Sequence, residues 1–338
     1  MLLTGSSDQL IKSFLELLCS EFNMKDLGPV HHFLGMEVIT TADGLHLSQT
    51  HFALSILKKF QMQDCKSMPS PQYTKHDLNE AKPLADPFVY RSAIGALQYL
   101  TLTRPDIAFS VNYASQFMQA PTTSHMKLIH RILRYIKGSL ELGIKITKDS
   151  TLGLKAYSDA DWAGCPTTRR STTGYCTFLG KNIISWCAKK QSTVSRSSTE
   201  AEYRAMAHTA AELTWLTFLL QELRVPSSVP VLYCDNLSSL YLSVNPVLHA
   251  RSKHIELDYH FVRERVAQGL LITKYVPSAQ QLADIFTKSV SKSAIRSVIT
   301  KLCLSPRHSL RGDNRILRSD KVDYSRDYSR NPQGSRFE

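Results

Sequence analysis

Paired cysteines and long apolar runs are both missing from this sequence. Its seven cysteines are scattered between positions 19 and 303 and form no CxxC pair, which argues against a disulfide framework and a zinc site. No apolar run approaches the ~20 residues that a membrane-spanning helix needs. The N-terminal stretch mixes charged with apolar residues and offers no small-residue cleavage site, so we predict no signal peptide. We therefore expect an intracellular protein, cytoplasmic or nuclear rather than secreted, with no membrane partner.

Negative charge is scarce in the middle of the chain. Residues 81–304 hold 27 Lys and Arg against 15 Asp and Glu, whereas residues 1–80 hold 6 against 9. A basic middle is where a polyanion such as nucleic acid would bind, although most basic surfaces are only solvated. The 338 residues are enough for two domains, each with its own core.

The first 86 residues combine helical and strand patterns. Apolar residues at helical spacing predict helices over residues 8–22 and 53–60. Alternation from Leu34 to Val38, followed by Asp43 and Gly44, predicts a β-hairpin. Residues 61–86 are polar, contain proline and lack a period, which is typical of a linker or a long loop.

Three helices are predicted next, over residues 88–102, 106–119 and 123–137, separated by Pro105, Pro121 and Gly138. The third has an apolar stripe and basic residues on its other faces. A solvated face is the more common explanation for any one of these residues, but their number makes contact with a nucleic-acid backbone plausible. The candidate contacts are Lys127, Arg131 and Arg134.

From residue 152 the pattern changes to that of an α/β domain. Three strands are followed by a helix, a strand, two helices, a strand and a helix. The predicted strands are 152–159, 173–179, 183–189, 229–234 and 270–276. Beyond residue 304 the composition turns basic and polar without an apolar period, so we predict a disordered tail over 305–338.

Four acids stand at positions that could share a site: Asp159, Glu202, Asp235 and Asp284. Asp159 and Asp235 end two predicted strands, and acids at adjacent strand ends point into one crevice. Glu202 begins a helix, and we place Asp284 in a late helix opened by a capping box of Ser278 and Gln281. A lone acid of this kind is usually a turn former or a dipole partner. Four in succession favour a site for two Mg²⁺ ions, since Mg²⁺ prefers hard oxygen ligands.

Two of these acids have a near neighbour that competes for the same role. Asp161 shares a strand face with Asp159, and we prefer Asp159 because it closes the apolar strand whereas Asp161 enters a turn. Glu202 aligns with the apolar stripe that faces the sheet, while Glu200 aligns with Arg204 on a stripe that we expect to face water. An inward carboxylate is costly unless it is paired or metal-bound, which favours Glu202 as the ligand.

A second basic segment lies between a predicted strand and the Glu202 helix. We expect it to contact a nucleic-acid backbone through phosphates rather than by reading bases. Its residues are Lys189, Lys190, Gln191, Ser195 and Arg196.

The local sequences around the four acids resemble a known family. YSDADWAG, SSTEAEYRA, YCDN and LADIFTK are similar to the ribonuclease H domain of copia-type LTR-retrotransposon Pol polyproteins, and KDLGPVHHFLGMEV, YRSAIGALQYLTLTRPDIAFSVN and HRILRYIKGS are similar to the upstream reverse transcriptase and connection region. The resemblance covers about residues 1–304. It implies a ribonuclease H-like α/β domain, a five-stranded mixed sheet with flanking helices, preceded by a truncated α+β reverse-transcriptase palm and connection remnant.

The resemblance also implies an activity and a division of the chain. The expected activity is Mg²⁺-dependent cleavage of the RNA strand of an RNA–DNA hybrid by Asp159, Glu202, Asp235 and Asp284, with Mn²⁺ as a substitute. The expected parts are a reverse-transcriptase part over 1–72 with a hairpin like the primer grip at 34–38, a helical connection over 73–150, the nuclease over 151–304, and the tail over 305–338.

Two departures from the family refine this expectation. The paired polymerase aspartates of such polyproteins lie just before the segment that corresponds to residues 1–5, and residues 1–150 contain no strand–turn–strand acid pair. We therefore expect no polymerase activity, and a partner that supplies the missing reverse-transcriptase domain or comes from other retrotransposon proteins. Cellular ribonucleases H usually carry a histidine before the last aspartate, whereas KYVPSAQQLAD has none, which bears on turnover rather than on metal binding.

Two other interpretations remain. The chain could be a catalytically silent nucleic-acid-binding remnant, a reading favoured by the missing polymerase core. An integrase-type nuclease with three acids is disfavoured by the fourth acid and by the sequences around it.

Overall fold

The computed structural model describes residues 1–73, 82–148, 151–245 and 256–307. Met1–Arg307 form one compact unit. The predicted disordered tail lies outside the described residues, apart from its first three positions. In the described part of the chain, no helix has the length and apolar character of a membrane span.

The described residues form nine helices and ten strands, with three short 3-10 turns between them. The helices are α1 (Asp8–Glu21), α2 (Thr50–Lys59), α3 (Pro87–Leu100), α4 (Ala108–Ser115), α5 (Thr123–Lys137), α6 (Ser198–Glu222), α7 (Leu237–Val244), α8 (Glu256–Ala267) and α9 (Lys292–Lys301). The strands are β1 (His32–Phe33), β2 (Met36–Thr41), β3 (Gly44–Ser48), β4 (Leu142–Thr147), β5 (Leu154–Asp161), β6 (Thr172–Leu179), β7 (Asn182–Lys190), β8 (Val231–Cys234), β9 (Ile272–Tyr275) and β10 (Leu304–Pro306). The 3-10 turns are Pro105–Ile107, Ser278–Gln280 and Leu282–Phe286.

The second half of the chain folds around a five-stranded sheet in the order β7-β6-β5-β8-β9. Strands β5, β6 and β7 form an antiparallel meander, and β8 and β9 add to it in parallel. Parallel neighbours need a crossover, which α6 supplies between β7 and β8. The predicted α/β fold class, a mixed five-stranded sheet with flanking helices, is confirmed.

Helix α6 covers one face of this sheet. Its stripe of Tyr203, Met206, Ala210 and Leu213 is buried against sheet residues that include Ala156. Each large apolar side chain buried in this way contributes about 1.5–3 kcal/mol. The helix begins after Ser197, whose hydroxyl accepts a hydrogen bond from the Glu200 N–H at 3.1 Å. This packing fixes which residues of α6 point toward the ends of the strands.

A second five-stranded sheet has the order β1-β2-β3-β4-β10 and is antiparallel throughout. The predicted hairpin is confirmed as β2 and β3, which pair from Glu37 with Ser48 to Thr41 with Gly44. Strands β4 and β10 were not predicted from the sequence. They are short, and what makes them strands is pairing between segments more than 150 residues apart.

The helices of the first half share one core. Leu57 of α2, Leu97 of α3 and Ile129 of α5 are fully buried in it. The three helices predicted after residue 87 are present as α3, α4 and α5, although α4 ends at Ser115 instead of 119.

The long loop predicted over 61–86 is irregular where it is described, up to residue 73 and again from 82. Arg131 of α5 donates to the Ser70 carbonyl at 2.9 Å and to its hydroxyl at 2.7 Å. Arg134 donates to the Lys66 carbonyl at 2.7 Å. The described part of the loop is thus fastened to α5 by two guanidinium groups.

Candidate metal centre

Asp159 lies near the end of β5, at the edge where the four acids meet. Its side chain is buried, and the Thr287 hydroxyl donates a hydrogen bond to Oδ2. Gly174 is its partner on β6, and a Cβ there would lie 2.5 Å from Cγ2 of Thr287 and 2.8 Å from Cβ of Phe286. Only glycine therefore lets the 3-10 turn Leu282–Phe286 pass this close to the sheet.

The sequence had suggested that Asp159 is the last residue of its strand, but it is not. Strand β5 continues to Asp161, which pairs with Thr172 of β6. Pairing with β6 extends the strand beyond its apolar residues, so Asp161 lies in the strand rather than in a turn. A Cβ at Gly164 would meet the Asp161 carboxylate at 1.6 Å. The Asp161 carboxylate thus sits over the loop that follows β5.

Glu202 projects from the fifth position of α6 toward the strand ends and is 7% exposed. Burial raises the pKa of Glu202 to about 9, the charges of Asp159 and Asp235 add to the rise, and a hydrogen bond from the Ala160 backbone opposes it. A nearby cation stabilises the ionised form of a carboxyl group whose pKa is raised this far, because the cation offsets both burial and the neighbouring negative charges.

Asp235 follows β8 directly, as predicted. The Ser278 hydroxyl donates to its Oδ2 at 2.8 Å, and the Gln281 amide donates to its Oδ1 at 3.5 Å. The ligand atoms of Glu202, Cys234 and Asp235 all lie within 4.8 Å of one another. Burial raises the pKa of the Cys234 thiol far above its usual value, which disfavours the thiolate as a metal ligand.

Asp284 reaches the cluster from the 3-10 turn Leu282–Phe286, not from the α-helix that we predicted. The predicted capping box is also wrong. Ser278 opens a separate 3-10 turn and bonds Asp235, while the Gln281 side chain caps the turn at the Ala283 N–H, 3.1 Å away. The turn has only five residues. It packs on the sheet at Gly174, and the chain then continues to α9. Burial raises the pKa of Asp284, and Lys288 opposes the rise.

Lys288 is a member of the cluster that the sequence analysis did not identify. Its Nζ lies 2.9 Å from Oδ1 of Asp284, and its charge also acts on Asp159 and Asp235. Burial would lower the pKa of Lys288, but these carboxylates raise it overall. The signal in the sequence was a Lys four residues after an Asp in LADIFTK, a spacing that gives a local ion pair.

The four predicted acids therefore converge at one end of the central sheet. Burial is the main cause that raises the pKa of Asp159, to about 6, as it is for Glu202. Four carboxylates against one lysine leave an excess of negative charge in a partly desolvated crevice. Hard oxygen donors in such a setting fit Mg²⁺ or Mn²⁺ and do not fit a soft-metal site.

Glu200 does not face water, which corrects the expectation from helical spacing. It is 5% exposed, and its Oε1 pairs with Arg204 at 2.9 Å while its Oε2 accepts the Arg196 N–H at 2.9 Å. The segment before α6 folds over Glu200 and Arg204 and removes these two side chains from solvent, whereas His208 farther along the same stripe is exposed. Glu200 therefore fastens the start of α6 and takes no part in the acid cluster.

Some of the predicted nucleic-acid contacts have exposed side chains, and others are already hydrogen-bonded to other parts of the chain. Lys127, Lys189 and Arg196 are exposed. Gln191 and Ser195 are buried and bonded to each other at 2.9 Å. Four of the predicted contacts thus already hold other parts of the chain, Gln191 and Ser195 inside their own loop and Arg131 and Arg134 on the loop before α3.

Lys190 is half-buried, and its side chain is also hydrogen-bonded within the protein. Its ammonium donates to Oε1 of Gln116 at 3.0 Å and to Sγ of Cys165 at 2.8 Å. Burial would raise the pKa of the Cys165 thiol, but Lys190 and Thr168 lower it to about 7. Lys190 thus links β7 to α4 and to the loop after β5.

Comparison with known proteins gives matches over nearly the whole chain. The family model "Reverse transcriptase (RNA-dependent DNA polymerase)" matches residues 1–74. The retrovirus-related Pol polyprotein from transposon RE2 of Arabidopsis thaliana is 45% identical over 305 residues, 89% of this chain and 21% of that protein. The corresponding polyprotein of transposon TNT 1-94 of Nicotiana tabacum is 36% identical over 87% of this chain and 23% of its own length.

Shorter proteins match over most of their own length. An uncharacterized mitochondrial protein of Arabidopsis thaliana is 56% identical, over 64% of this chain and 90% of that protein. Among solved structures, an N-terminal ribonuclease H domain from Mycobacterium tuberculosis matches 44% of this chain and 97% of its own with 12% identity and a TM-score of 0.32, a weak similarity. The chain spans about a fifth of the length of the Pol polyproteins it matches. On its sequence relatives, this chain belongs to the copia-type retrotransposon Pol polyprotein family.

Proposed function

We propose that this chain is a ribonuclease H-type endonuclease that cuts the RNA strand of an RNA–DNA hybrid and depends on Mg²⁺. The observation that carries the proposal is the convergence of Asp159, Glu202, Asp235 and Asp284 at one end of the central sheet, two of them with raised pKa values near 6 and 9. A structural cluster of this kind would be costly to keep without a cation.

The four carboxylates would hold two Mg²⁺ ions, with Mn²⁺ as a substitute. The bound metal would supply an activated water and neutralise charge on the phosphodiester. Thr287 keeps the Asp159 carboxylate in place, and Ser278 and Gln281 do the same for Asp235. Glu202 would give up its proton when the site is loaded, because a nearby cation stabilises the ionised form.

The proposed partner is nucleic acid, held through its phosphates. Among the predicted contacts, Lys127, Lys189 and Arg196 have exposed side chains and are the ones we retain as direct contacts. Discrimination of RNA from DNA would depend on groove shape and on the 2′-hydroxyls. An intracellular location, cytoplasmic or nuclear, belongs to the same proposal.

We further propose that the parts over 1–72, 73–150, 151–304 and 305–338 correspond to functional segments of a longer Pol polyprotein. The reverse-transcriptase domain of such a polyprotein, or another retrotransposon protein, would be the partner of the first segment. The 338 residues themselves are proposed to lack polymerase activity, because the described residues of 1–73 and 82–148 contain no strand–turn–strand acid pair.

One observation favours a catalytically silent nucleic-acid-binding remnant as the second candidate. Helix α1 has no buried residue, and Leu10, Phe14 and Leu17 are 72%, 45% and 57% exposed. An uncovered apolar helix lowers solubility and promotes association. A remnant would bind hybrid without cleaving it, which the next experiment resolves.

Replacing Asp235 with Asn tests the proposal. Asp235→Asn should abolish cleavage of a hybrid labelled on its RNA strand, because the Asn side chain removes one shared ligand charge, and it should leave the fold intact. Asp64→Asn, an exposed loop change, is the control and should cleave at the wild-type rate. Full activity of Asp235→Asn, or cleavage that persists in excess EDTA, would rule out the nuclease. Hybrid binding without cleavage by the wild type would support the silent remnant.

A further inference from the structure

One face of the central sheet is covered by α4 and α9 over β6 and β7, but in the described parts of the chain no helix covers it toward β8 and β9. Helices α6, α7 and α8 lie on the face that carries Ala156 and Leu232. On the opposite face, the 3-10 turn Leu282–Phe286 packs over β6 and the end of β5. Toward β9 the same face is open, as the 41% exposure of Ile272 indicates.

Strand register places aromatic and basic side chains together on this open face. Tyr157 of β5 pairs with Tyr233 of β8, which pairs with Lys274 of β9. Two residues before Tyr157 on β5, and on the same face, Lys155 pairs with Phe178 of β6. Directly paired residues in a sheet project to the same side. We call these five residues the tyrosine–lysine face.

The two tyrosines already form a stack. The ring centroids of Tyr157 and Tyr233 are 5.0 Å apart, and the rings are 19° from parallel. Phe178 meets Tyr157 edge-on with centroids 6.1 Å apart, and Lys155 Nζ lies 5.5 Å from the Phe178 centroid. The stack runs across the strands from β5 toward β9, so a planar ring added to Tyr233 would lie beside Lys274.

A groove of about 330 Å³ opens beside the stack. It is lined by Lys155, Tyr157, Phe178, Lys181, Gln280, Leu282 and Lys301. These lining residues include three lysines and no carboxylate, within the part of the chain that the structure describes. Asp159 lies two residues beyond Tyr157 on the same strand face, about 7 Å away at strand spacing. The groove and the acid cluster thus flank the segment Ser278–Phe286.

We propose that the tyrosine–lysine face binds a single-stranded nucleic-acid segment. A base extends the stack on Tyr233, and phosphates lie against Lys155, Lys274 and Lys301. Stacking requires an unpaired base, because the bases of a duplex are stacked on one another. An acidic peptide would use the lysines but would leave the tyrosine stack unused. In one respect this proposal rests on the proposed function: the bound single strand would continue from a hybrid held at the acid cluster.

The first test measures binding of a labelled single-stranded oligonucleotide by fluorescence anisotropy in EDTA. We expect Tyr233→Leu to weaken binding about fivefold or more, since base stacking on one aromatic ring contributes about 1–3 kcal/mol. Tyr233→Phe keeps the ring and should bind like the wild type. Thermal melting of both variants shows whether the fold is retained.

The second test measures the salt dependence of the same binding. Lys274→Ala should reduce the slope of log K against log salt by about 0.7, the value for one phosphate contact to a single strand. Lys292→Ala is the matched control, because it removes an equal charge at the start of α9, the far end of the helix from Lys301. Its slope should stay at the wild-type value.

Cleavage of a blunt hybrid in Mg²⁺ separates this proposal from the proposed function. The Tyr233 and Lys274 variants should cleave a blunt hybrid at the wild-type rate. If the wild type cleaves nothing but the binding results hold, the nuclease proposal fails and the face remains. Unchanged affinity in Tyr233→Leu together with an unchanged slope in Lys274→Ala would overturn the face, as would failure of the wild type to bind any single strand.

Discussion

Glu200 and Glu202 lie two residues apart on α6, about half a turn of helix, and their carboxylates have different surroundings. Glu202 faces the strand ends and has Asp159 and Asp235 as neighbours. Glu200 is as buried, but Arg204 and the Arg196 N–H satisfy it. Burial alone therefore does not mark a metal ligand. The partner of the buried charge decides between the two roles.

We predict opposite outcomes for two pairs of variants. Asp159→Asn and Glu202→Gln should each remove hybrid cleavage almost completely, because each takes a charge from the shared cluster. Asp161→Asn and Glu200→Gln should retain most of the cleavage at a temperature where they are folded. The four proteins are assayed side by side on one labelled hybrid, and the reverse ranking within a pair would show that the wrong acid was chosen.

The raised pKa of Glu202, about 9, predicts how stability depends on pH in the absence of metal. Between its unfolded value near 4.5 and its folded value, the folded state binds more protons than the unfolded state. The free energy of unfolding must therefore fall as the pH rises through that interval. In EDTA, we expect the Tm of the wild type to fall between pH 5 and pH 8.5, and Glu202→Gln to make this fall shallower.

Mg²⁺ provides the control for this pH effect. A cation offsets the ionised carboxylates, so excess Mg²⁺ at pH 8 should raise the Tm of the wild type and raise that of Glu202→Gln less. Equal pH slopes in EDTA for the two proteins would show that Glu202 is not the group that titrates.

At the scale of elements, the start of α6 is held by a small network. Ser197 caps the helix, and Glu200 joins Arg204 to the backbone of Arg196. Arg204 also donates to the Thr193 hydroxyl. Because Glu202 follows within one turn, this network sets the direction in which the Glu202 side chain leaves the helix.

We predict that breaking this network destabilises the protein more than a surface change does. Glu200→Gln removes the carboxylate that pairs with buried Arg204 at 2.9 Å, and breaking a buried ion pair typically costs about 3–5 kcal/mol. Glu222→Gln at the exposed end of α6 should change the free energy of unfolding by less than about 0.5 kcal/mol. Chemical denaturation measures both. Equal stability of the two variants would mean that the network contributes nothing measurable.

At the scale of the whole molecule, Met1–Arg307 form one compact unit although the chain carries two sheets. Strand β10 near residue 305 pairs with β4, which pairs in turn with β3. The C-terminal end of the described chain therefore completes a sheet begun by the N-terminal hairpin.

The whole chain can also be tested for polymerase activity. We predict that the 338 residues alone extend no primer on any template with Mg²⁺ or Mn²⁺, because the described residues of 1–73 and 82–148 carry no acid pair on a strand–turn–strand. A primer-extension assay on purified protein measures this, with hybrid cleavage run in parallel to show that the preparation is active. Reproducible nucleotide incorporation would refute the prediction.

Much of the fold followed from local patterns. The strands β5, β6 and β7 and the helices α1, α5 and α6 were predictable because their periods span many residues. Strands β4 and β10 were not, since they are short and depend on partners distant in sequence. The helix assigned to Asp284 was wrong, since the segment forms a 3-10 turn that packs closely on the sheet at Gly174, a contact that local spacing does not encode.

The sequence by itself determined which acids were candidates and the order of the strands in the second half of the chain, because spacing and local context are properties of neighbouring residues. Only the tertiary structure decided that Glu200 is buried by the segment before it, that Lys288 enters the acid cluster, and that Tyr157 and Tyr233 stack on an open face. The first depends on how the segment from Thr193 folds back onto α6, and the other two depend on contacts between distant segments. The free energy of such contacts is set by packing and burial.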